Sequence, residues 1–244
     1  MTALLLLAAA TLYEQSLGRA LESAVTQPDV SYLVLDVPAR RLIAARWESP
    51  EVPVPVGSLV KPFTALAYGE RHGFEYPEYL CKGCWLPRGH GRIGIEDAIA
   101  HSCNAYFLAL AAGDVSGVAR RFGIDAPLAG APPGTLIGLG DGWQVAPLAL
   151  ARAYCDLIER PELRRGMALA ARTGTASALG VPALAKTGTA VCAHPGRGPA
   201  DGYVVALYPA EAPRVAMLVR VHGTTGAQTA AVAGRMLRLM AGGR

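Results

Sequence analysis

A serine and a lysine three residues apart, Ser58 and Lys61, are the residues of this chain best placed to do chemistry. If the segment that starts at Ser58 is helical, the hydroxyl and the amine lie on one face and within mutual reach. The first backbone N–H groups of a helix have no intrahelical partner, so they can stabilise a developing negative charge. The pair therefore predicts a serine nucleophile, a lysine base and part of an oxyanion hole within four residues.

Two further motifs follow in the chain. With eight serines and three lysines in 244 residues, the S-x-x-K spacing alone arises by chance about 0.1 times. Ser102-Cys103-Asn104 lies at a break between two predicted helices, where short polar side chains can enter a cleft. Lys186-Thr187-Gly188-Thr189 ends a predicted strand, and its glycine would let a substrate backbone come close.

The scarcity of lysine supports this interpretation. Only Lys61, Lys82 and Lys186 are lysine, and the other 20 of the 23 basic residues are arginine. Arginine cannot release its proton near neutral pH, whereas burial can bring the pKa of a lysine into that range. Two of the three lysines fall in the motifs, which indicates amines whose protons must move.

Composition narrows the class of protein. The apolar share of 52% and the charged share of 17% are those of a globular protein. The net charge of +4 is spread along the chain without a basic run, so we expect no nucleic-acid partner. Residues 1–10 are apolar but too short to span a bilayer, and they are either a signal-like segment or the start of a helix.

The order of elements predicts an α+β fold. Patterning indicates a helix at 11–26, a hairpin within 31–46, a helix from Ser58 to about Arg71 and a helical block at about 75–170. The later strands and the last helix are predicted at 181–186, 203–208, 214–219 and 226–240. We therefore expect an antiparallel sheet flanked by terminal helices with an all-helical lobe inserted, and a site in the cleft between them. Residues 27–244 would be one catalytic domain and residues 1–26 a helix or signal-like segment.

The cysteines do not form an obvious framework. There are five, an odd number, so a complete set of disulfides is not implied. Cys81-x-x-Cys84 with His90 nearby resembles part of a zinc motif, but a second C-x-x-C or a spaced histidine pair is missing. We therefore expect a local disulfide or free thiols, with no metal and no cofactor.

Together the three motifs resemble the transpeptidase domain of penicillin-binding proteins, within the superfamily of serine β-lactamases and D,D-peptidases. The resemblance is to the monofunctional class B members and covers roughly residues 30–240. The segments that carry it, beyond the three motifs, are His90-Gly91, Ile95 to Ala100, Ala105 to Phe107, Gly138 to Gly140, Pro147 to Ala151 and Ala190. Class B proteins carry a membrane anchor and a pedestal domain, whereas the 57 residues before Ser58 leave room for a helix, a hairpin and a linker.

The resemblance implies a role for each motif residue. Ser58 would form an acyl-enzyme, and Lys61, kept neutral, would accept its proton. Ser102 would pass a proton to the leaving amine in contact with Lys186, and Asn104 would hold Lys61 and the substrate amide. The oxyanion hole would be the backbone N–H groups of Ser58 and Thr189. Thr187 and Thr189 would bind the substrate carboxylate, helped by the charge on Lys186, and Gly188 would bind substrate by letting its backbone lie close.

The resemblance leaves several functions open. The leading hypothesis is a D,D-peptidase, either transpeptidase or carboxypeptidase, that acts on peptidoglycan stem peptides outside the cytoplasm and is acylated by β-lactams. The alternatives are a serine β-lactamase and a non-catalytic β-lactam sensor domain.

Two other segments resemble catalytic motifs less closely. Arg172-Thr173-Gly174-Thr175 nearly repeats the later K-T-G segment but has arginine for lysine. Glu162 faintly resembles the acid that activates a deacylating water, and we expect it instead at a solvated helix end. The oligomeric state is not predicted.

Overall fold

The computed structural model describes residues 14–128, 130–194 and 196–242 of the chain. The signal-like segment at 1–10 therefore lies outside the described residues. From residue 14 onward the predicted N-terminal helix is present as α1, residues 14–24. None of the helices in the described part of the chain combines the length and apolar character needed to cross a bilayer.

The other helices follow in chain order. They are α2 Lys61–Arg71, α3 Ile95–Ala100, α4 Asn104–Leu110, α5 Val115–Arg121, α6 Pro133–Leu136, α7 Pro147–Leu157, α8 Pro161–Arg172 and α9 Gly226–Gly242. There are also two short 3-10 turns: Gly57–Val60 precedes α2, and Ser177–Leu179 follows α8. The segment from α3 to α8 forms the predicted helical lobe.

The strands are β1 Val30–Asp36, β2 Arg41–Arg46, β3 Val54–Pro55, β4 Tyr79–Cys81, β5 Gly91–Ile93, β6 Gln144–Val145, β7 Leu184–Val191, β8 Ala200–Tyr208 and β9 Val215–His222. Five of them form one antiparallel sheet in the order β2-β1-β9-β8-β7. Strand β7 is thus an edge strand, paired on one side with β8. The pairs β3–β6 and β4–β5 are small separate ribbons.

Both faces of the five-stranded sheet are buried, and alternate side chains along a strand belong to two different hydrophobic cores. In β8, Tyr203 and Val205 belong to the core shared with the helical lobe. The intervening Val204 belongs to a second core formed with the terminal helices, to which Leu21 of α1 and Met236 of α9 contribute. Because neighbouring residues of a strand point to opposite faces, a continuous apolar run is what a sheet buried on both faces requires.

The predicted fold class is confirmed, and some boundaries are corrected. The strand predicted at 181–186 is Leu184–Val191, so the K-T-G motif lies inside β7 and not at its end. It begins later because Gly180 has a left-handed backbone (φ 63°) and Pro182 has no N–H for strand pairing. The sequence pattern also did not resolve α8 as a separate helix, although its buried face includes Leu163 and Met167.

Candidate active site

Ser58 lies in the 3-10 turn that leads into α2. Side chains at positions i and i+3 eclipse in a 3-10 helix, so Ser58 and Lys61 are on the same side of the turn. The backbone N–H of Lys61 donates to the carbonyl of Ser58, and Pro62 occupies the first turn of α2, where a missing donor costs little. The α-helix thus begins at Lys61 and not at Ser58 as predicted, and the 3-10 turn that precedes it places the two side chains on the same side.

Two glycines allow this turn to pack directly against β7. Gly57 has φ +57°, and a Cβ there would lie 2.2 Å from the carbonyl oxygen of Thr189. Gly188 faces the same turn from the strand, and a Cβ there would lie 2.5 Å from the carbonyl oxygen of Val56. Any larger residue at either position would push the two segments apart. The backbones of Ser58 and Thr189 are therefore held side by side.

The Lys61 amine is fully buried and surrounded by oxygen acceptors. Its Nζ donates to the Ser102 carbonyl at 2.8 Å and to Asn104 Oδ1 at 2.5 Å, and it lies 3.2 Å from Ser102 Oγ. Burial lowers the pKa of Lys61 to about 7, because the charged form is deprived of water. The amine is thus able to exist unprotonated near neutral pH.

Lys186 reaches the same hydroxyl from the opposite side. Its Nζ donates to Ser102 Oγ at 2.8 Å and to the carbonyl of Thr187 at 2.8 Å. Burial, and then the nearby charge of Lys61, lower the pKa of Lys186 well below its usual value. The Ser102 hydroxyl therefore lies between two amines, and it is unfavourable for both of them to carry a positive charge at once.

The Ser102-Cys103-Asn104 segment is a tight turn between α3 and α4. Ser102 has a left-handed backbone, φ +51°, which is uncommon for a residue other than glycine. Backbone bonds from Ser102 N–H to Ile99 and from Cys103 N–H to Ala98 keep the turn closed. The strained conformation directs the Ser102 hydroxyl between the two lysines.

These residues line one cleft of about 380 Å³ between the sheet and the helical lobe. Its lining residues are Ser58, Trp85, Ser102, Asn104, Gly138, Leu139, Thr175, Thr187, Gly188, Thr189, Thr225 and Ala227. The structure thus brings all predicted site residues to one place: six of them line the cleft, and the amines of Lys61 and Lys186 lie beneath it and bond to Ser102.

Sequence reasoning missed several of the lining residues. Thr175 belongs to the near-repeat R-T-G-T at the end of α8, where it lies beside the K-T-G motif, with Thr187 Oγ1 donating to Thr175 Oγ1 at 2.6 Å. Arg172 of that segment is exposed. Trp85 covers the Ser102 turn, and its Nε1 lies 3.2 Å from the carbonyls of His101 and Ser102. The near-identity of the two T-G-T segments was the signal available for Thr175.

Glu162 lies in the first turn of α8 and is not among the residues that line the cleft. None of the described lining residues is a carboxylate. Within the described part of the chain, the cleft thus offers no acidic side chain to activate water.

A set of possible metal ligands adjoins the site. Cys81, Cys84, His90 and Cys103 place their ligand atoms within 4.8 Å of one another. All five cysteines of the chain are free in the structure, so the local disulfide considered from the sequence is not formed. Cys103, nineteen residues beyond Cys84 and inside the Ser102-Cys103-Asn104 segment, is the member of this set that the spacing pattern did not reveal.

No protein-family model matches the sequence, and no curated protein matches it. Solved structures do match the fold. Penicillin-binding protein 2 of Pseudomonas aeruginosa in complex with WCK 5153 superposes with a TM-score of 0.77 at 19% identity, over 92% of this chain and 76% of that chain. The transpeptidase domain of Burkholderia pseudomallei penicillin-binding protein 3 gives 0.70 at 18% identity, over 96% and 93%.

A third structure is penicillin-binding protein A of Mycobacterium tuberculosis as an acyl-enzyme complex with ceftriaxone. It gives a TM-score of 0.71 at 18% identity, over 92% of this chain and 77% of that chain. Sequence identities this low are evidence for a shared fold and for nothing finer. The chain has the fold of the transpeptidase domain of penicillin-binding proteins.

Proposed function

We propose that the protein is a serine D,D-peptidase of peptidoglycan stem peptides, acting outside the cytoplasm, and that β-lactams acylate its Ser58. The observation that carries the proposal is the hydrogen-bonded chain from Lys61 through Ser102 to Lys186, placed beneath the 3-10 turn that presents Ser58. A buried amine with a pKa of about 7 has little structural value, since burying it costs free energy. Its chemical value is that of a base poised near neutral pH.

The proposed reaction is acyl transfer in two halves. Ser58 Oγ attacks the carbonyl carbon of the substrate, while its proton passes to the unprotonated Lys61 amine. The negative charge on the carbonyl oxygen is stabilised by the backbone N–H groups of Ser58 and Thr189. When the tetrahedral intermediate collapses, the C–N bond breaks and the leaving amine takes a proton from Lys61 through the Ser102 hydroxyl. An amine acceptor or water then reverses these steps and removes the acyl group.

The lysine pair suggests how substrate binding would prepare the base. Both pKa values are lowered by burial in the free site, and that of Lys186 is lowered further by Lys61. A substrate carboxylate bound at Thr187 and Thr189 would favour a proton on Lys186. Because two positive charges sharing Ser102 Oγ repel each other, Lys61 would then stay neutral and ready to accept the serine proton.

Strand β7 offers a route for binding an extended peptide. It is the edge strand of the five-stranded sheet, so its outer backbone groups are not used by another strand of the sheet. An extended substrate can pair with such an edge while its carboxylate reaches the threonines of the K-T-G motif. Thr175, whose hydroxyl contacts that of Thr187, would extend this polar end of the cleft.

The composition of the cleft favours a peptidase over a β-lactamase. Class A β-lactamases use a carboxylate to activate the water that hydrolyses the acyl-enzyme, and the described lining residues include no carboxylate. We therefore expect a long-lived penicilloyl enzyme. A sensor domain would also be acylated at Ser58 but would not turn over peptide.

The test is labelling with a fluorescent penicillin followed by peptide mass spectrometry. We expect one label per chain, on Ser58, lost in Ser58→Ala and retained in the matched exposed control Ser49→Ala. Covalent labelling of Ser58→Ala would disprove the assignment, and release of label within seconds would favour the β-lactamase. Product analysis with a pentapeptide, with and without an amine acceptor, then separates transpeptidase, carboxypeptidase and an inactive sensor.

A further inference from the structure

Four side chains beside the active site are arranged like the ligands of a metal ion. Cys81 ends β4, Cys84 and His90 lie in the loop that joins β4 to β5, and Cys103 lies between Ser102 and Asn104. Their three sulfur atoms and one ring nitrogen lie within 4.8 Å of one another. Cys81 and Cys103 are at most 1% exposed, so the cluster is closed on its inner side.

The distances from His90 to two of the sulfur atoms agree with tetrahedral coordination. With Zn–S bonds of about 2.3 Å and Zn–N bonds of about 2.0 Å, a tetrahedral site separates sulfur from nitrogen by about 3.5 Å. His90 Nδ1 lies 3.6 Å from Cys81 Sγ and 3.3 Å from Cys84 Sγ. A zinc ion with three thiolates and one imidazole is among the common structural zinc sites.

The local backbone shapes this pocket. Gly89 has φ +70°, and a Cβ there would lie 2.1 Å from the carbonyl oxygen of Cys81, so the loop folds tightly back on its own start. The backbone N–H of Leu86 points at Cys84 Sγ from 3.5 Å, the kind of contact that supports a thiolate ligand.

The same test excludes another group of potential ligands. Cys192, Asp201 and His222 also lie together, but His222 Nδ1 is 2.6 Å from Asp201 Oδ1. That separation is a hydrogen bond, too short for two ligands of one tetrahedral ion. Asp201 and His222 therefore form a hydrogen-bonded acid–histidine pair. The contrast shows that buried cysteine, histidine and acidic residues do not automatically have the sulfur–nitrogen distances seen in the first cluster.

We propose that Cys81, Cys84, His90 and Cys103 bind one Zn²⁺ ion, which clamps the 82–90 loop to the Ser102-Cys103-Asn104 turn. The loop and the strand that leads into it have little apolar anchoring, since Trp85 of the loop is 52% exposed and Leu80 of β4 is 54% exposed. Binding would release up to three thiol protons to solvent and leave a closed site with no open position for substrate. The ion would act structurally, by holding Trp85 over the cleft and the Ser102 backbone in its left-handed conformation.

Metal content tests the proposal without relying on activity. The full chain, purified under reducing conditions and dialysed after addition of Zn²⁺, should hold about one zinc per chain by elemental analysis. Replacement by Co²⁺ should give an intense sulfur-to-cobalt charge-transfer band and the visible spectrum of tetrahedral Co²⁺. Failure to retain zinc, or an octahedral Co²⁺ spectrum, would overturn the proposal. So would a Cys81–Cys84 disulfide in protein recovered from an oxidising compartment.

Variants assign the ligands. Cys84→Ser and His90→Ala should each lose zinc on dialysis against a mild chelator, whereas Cys155→Ser, a buried cysteine in α7, should retain it. Retention of tight zinc by both ligand variants would refute the assignment. Circular dichroism distinguishes loss of metal from failure to fold, and the wild-type Co²⁺ spectrum requires no variant. Ser58→Ala should keep its zinc, so this test and that of the proposed function fail independently.

Discussion

The proposed base makes acylation of Ser58 depend on pH in a specified direction. Lys61 must be unprotonated to accept the serine proton, and burial lowers its pKa to about 7. The acylation rate should therefore rise with pH through that value. An exposed lysine, with the ordinary value of 10.5, would place the rise above the range in which most proteins are assayed.

The magnitude follows from the fraction of neutral amine. For a pKa of about 7, that fraction is about 9% at pH 6 and about 91% at pH 8, so the rate should increase about tenfold. Lys61→Arg keeps the positive charge but cannot release its proton near neutral pH. It should lower the acylation rate by about 100- to 10,000-fold, the usual contribution of a general base.

Stopped-flow measurement of acylation by a fluorescent penicillin, from pH 5.5 to 9.5, checks both expectations. A penicillin without an ionisable group other than its carboxylate keeps the profile attributable to the protein. A rate that is flat across pH 6 to 8, or a midpoint above pH 9, would refute the role of Lys61 as a neutral base. Lys61→Arg with near wild-type acylation would refute it independently.

Two further predictions concern the packing and the edge of the site. Gly57→Ala should destabilise the protein by about 1–3 kcal/mol and slow acylation, because Gly57 has a left-handed backbone and an added Cβ would clash with the Thr189 carbonyl. Chemical denaturation measures the change in stability. The control is Gly73→Ala, since Gly73 is also left-handed but an added Cβ there would have nothing within 4 Å. An equal effect of the two substitutions would show that contact with β7 is unimportant. Thr175→Val should raise KM for a pentapeptide up to about tenfold with little change in kcat, since a lost hydrogen bond is worth roughly 1 kcal/mol. Thr173→Val, at an exposed position, should leave both constants unchanged, and a fall in kcat alone for Thr175→Val would contradict a binding role.

Much of the fold could be predicted because its signals are local. The apolar patterns of β1, β8 and β9 are properties of neighbouring residues, and all three strands occur within a few residues of the bounds that patterning indicated. The boundary of β7 was missed because it depends on Gly180 and Pro182, whose effect is set by the turn geometry around them. Helix α8 was missed because Glu159 to Pro161 resembles the end of an element more than the start of one.

In the candidate site, too, the residues that share a local turn could be predicted from the sequence, and those brought together by folding could not. Ser58 and Lys61 were identifiable together because a single turn of helix positions them, and Ser102 and Asn104 because they share one turn. Thr175 and Trp85 come from segments with no spacing relation to these motifs, so only the folded chain shows that they line the same cleft. The same holds for Cys103, which completes the cysteine and histidine cluster from a different segment.

The sequence by itself determined the fold class, the order of the three motifs and the scarcity of lysines outside them, because these are properties of residue type and short-range spacing. Only the tertiary structure decided that one serine hydroxyl lies between two buried amines, and that burial lowers the pKa of Lys61 to about 7. Desolvation depends on everything packed around a group, and the residues that exclude water from Lys61 come from distant parts of the chain. The same packing brought three cysteines and a histidine together beside the candidate active site.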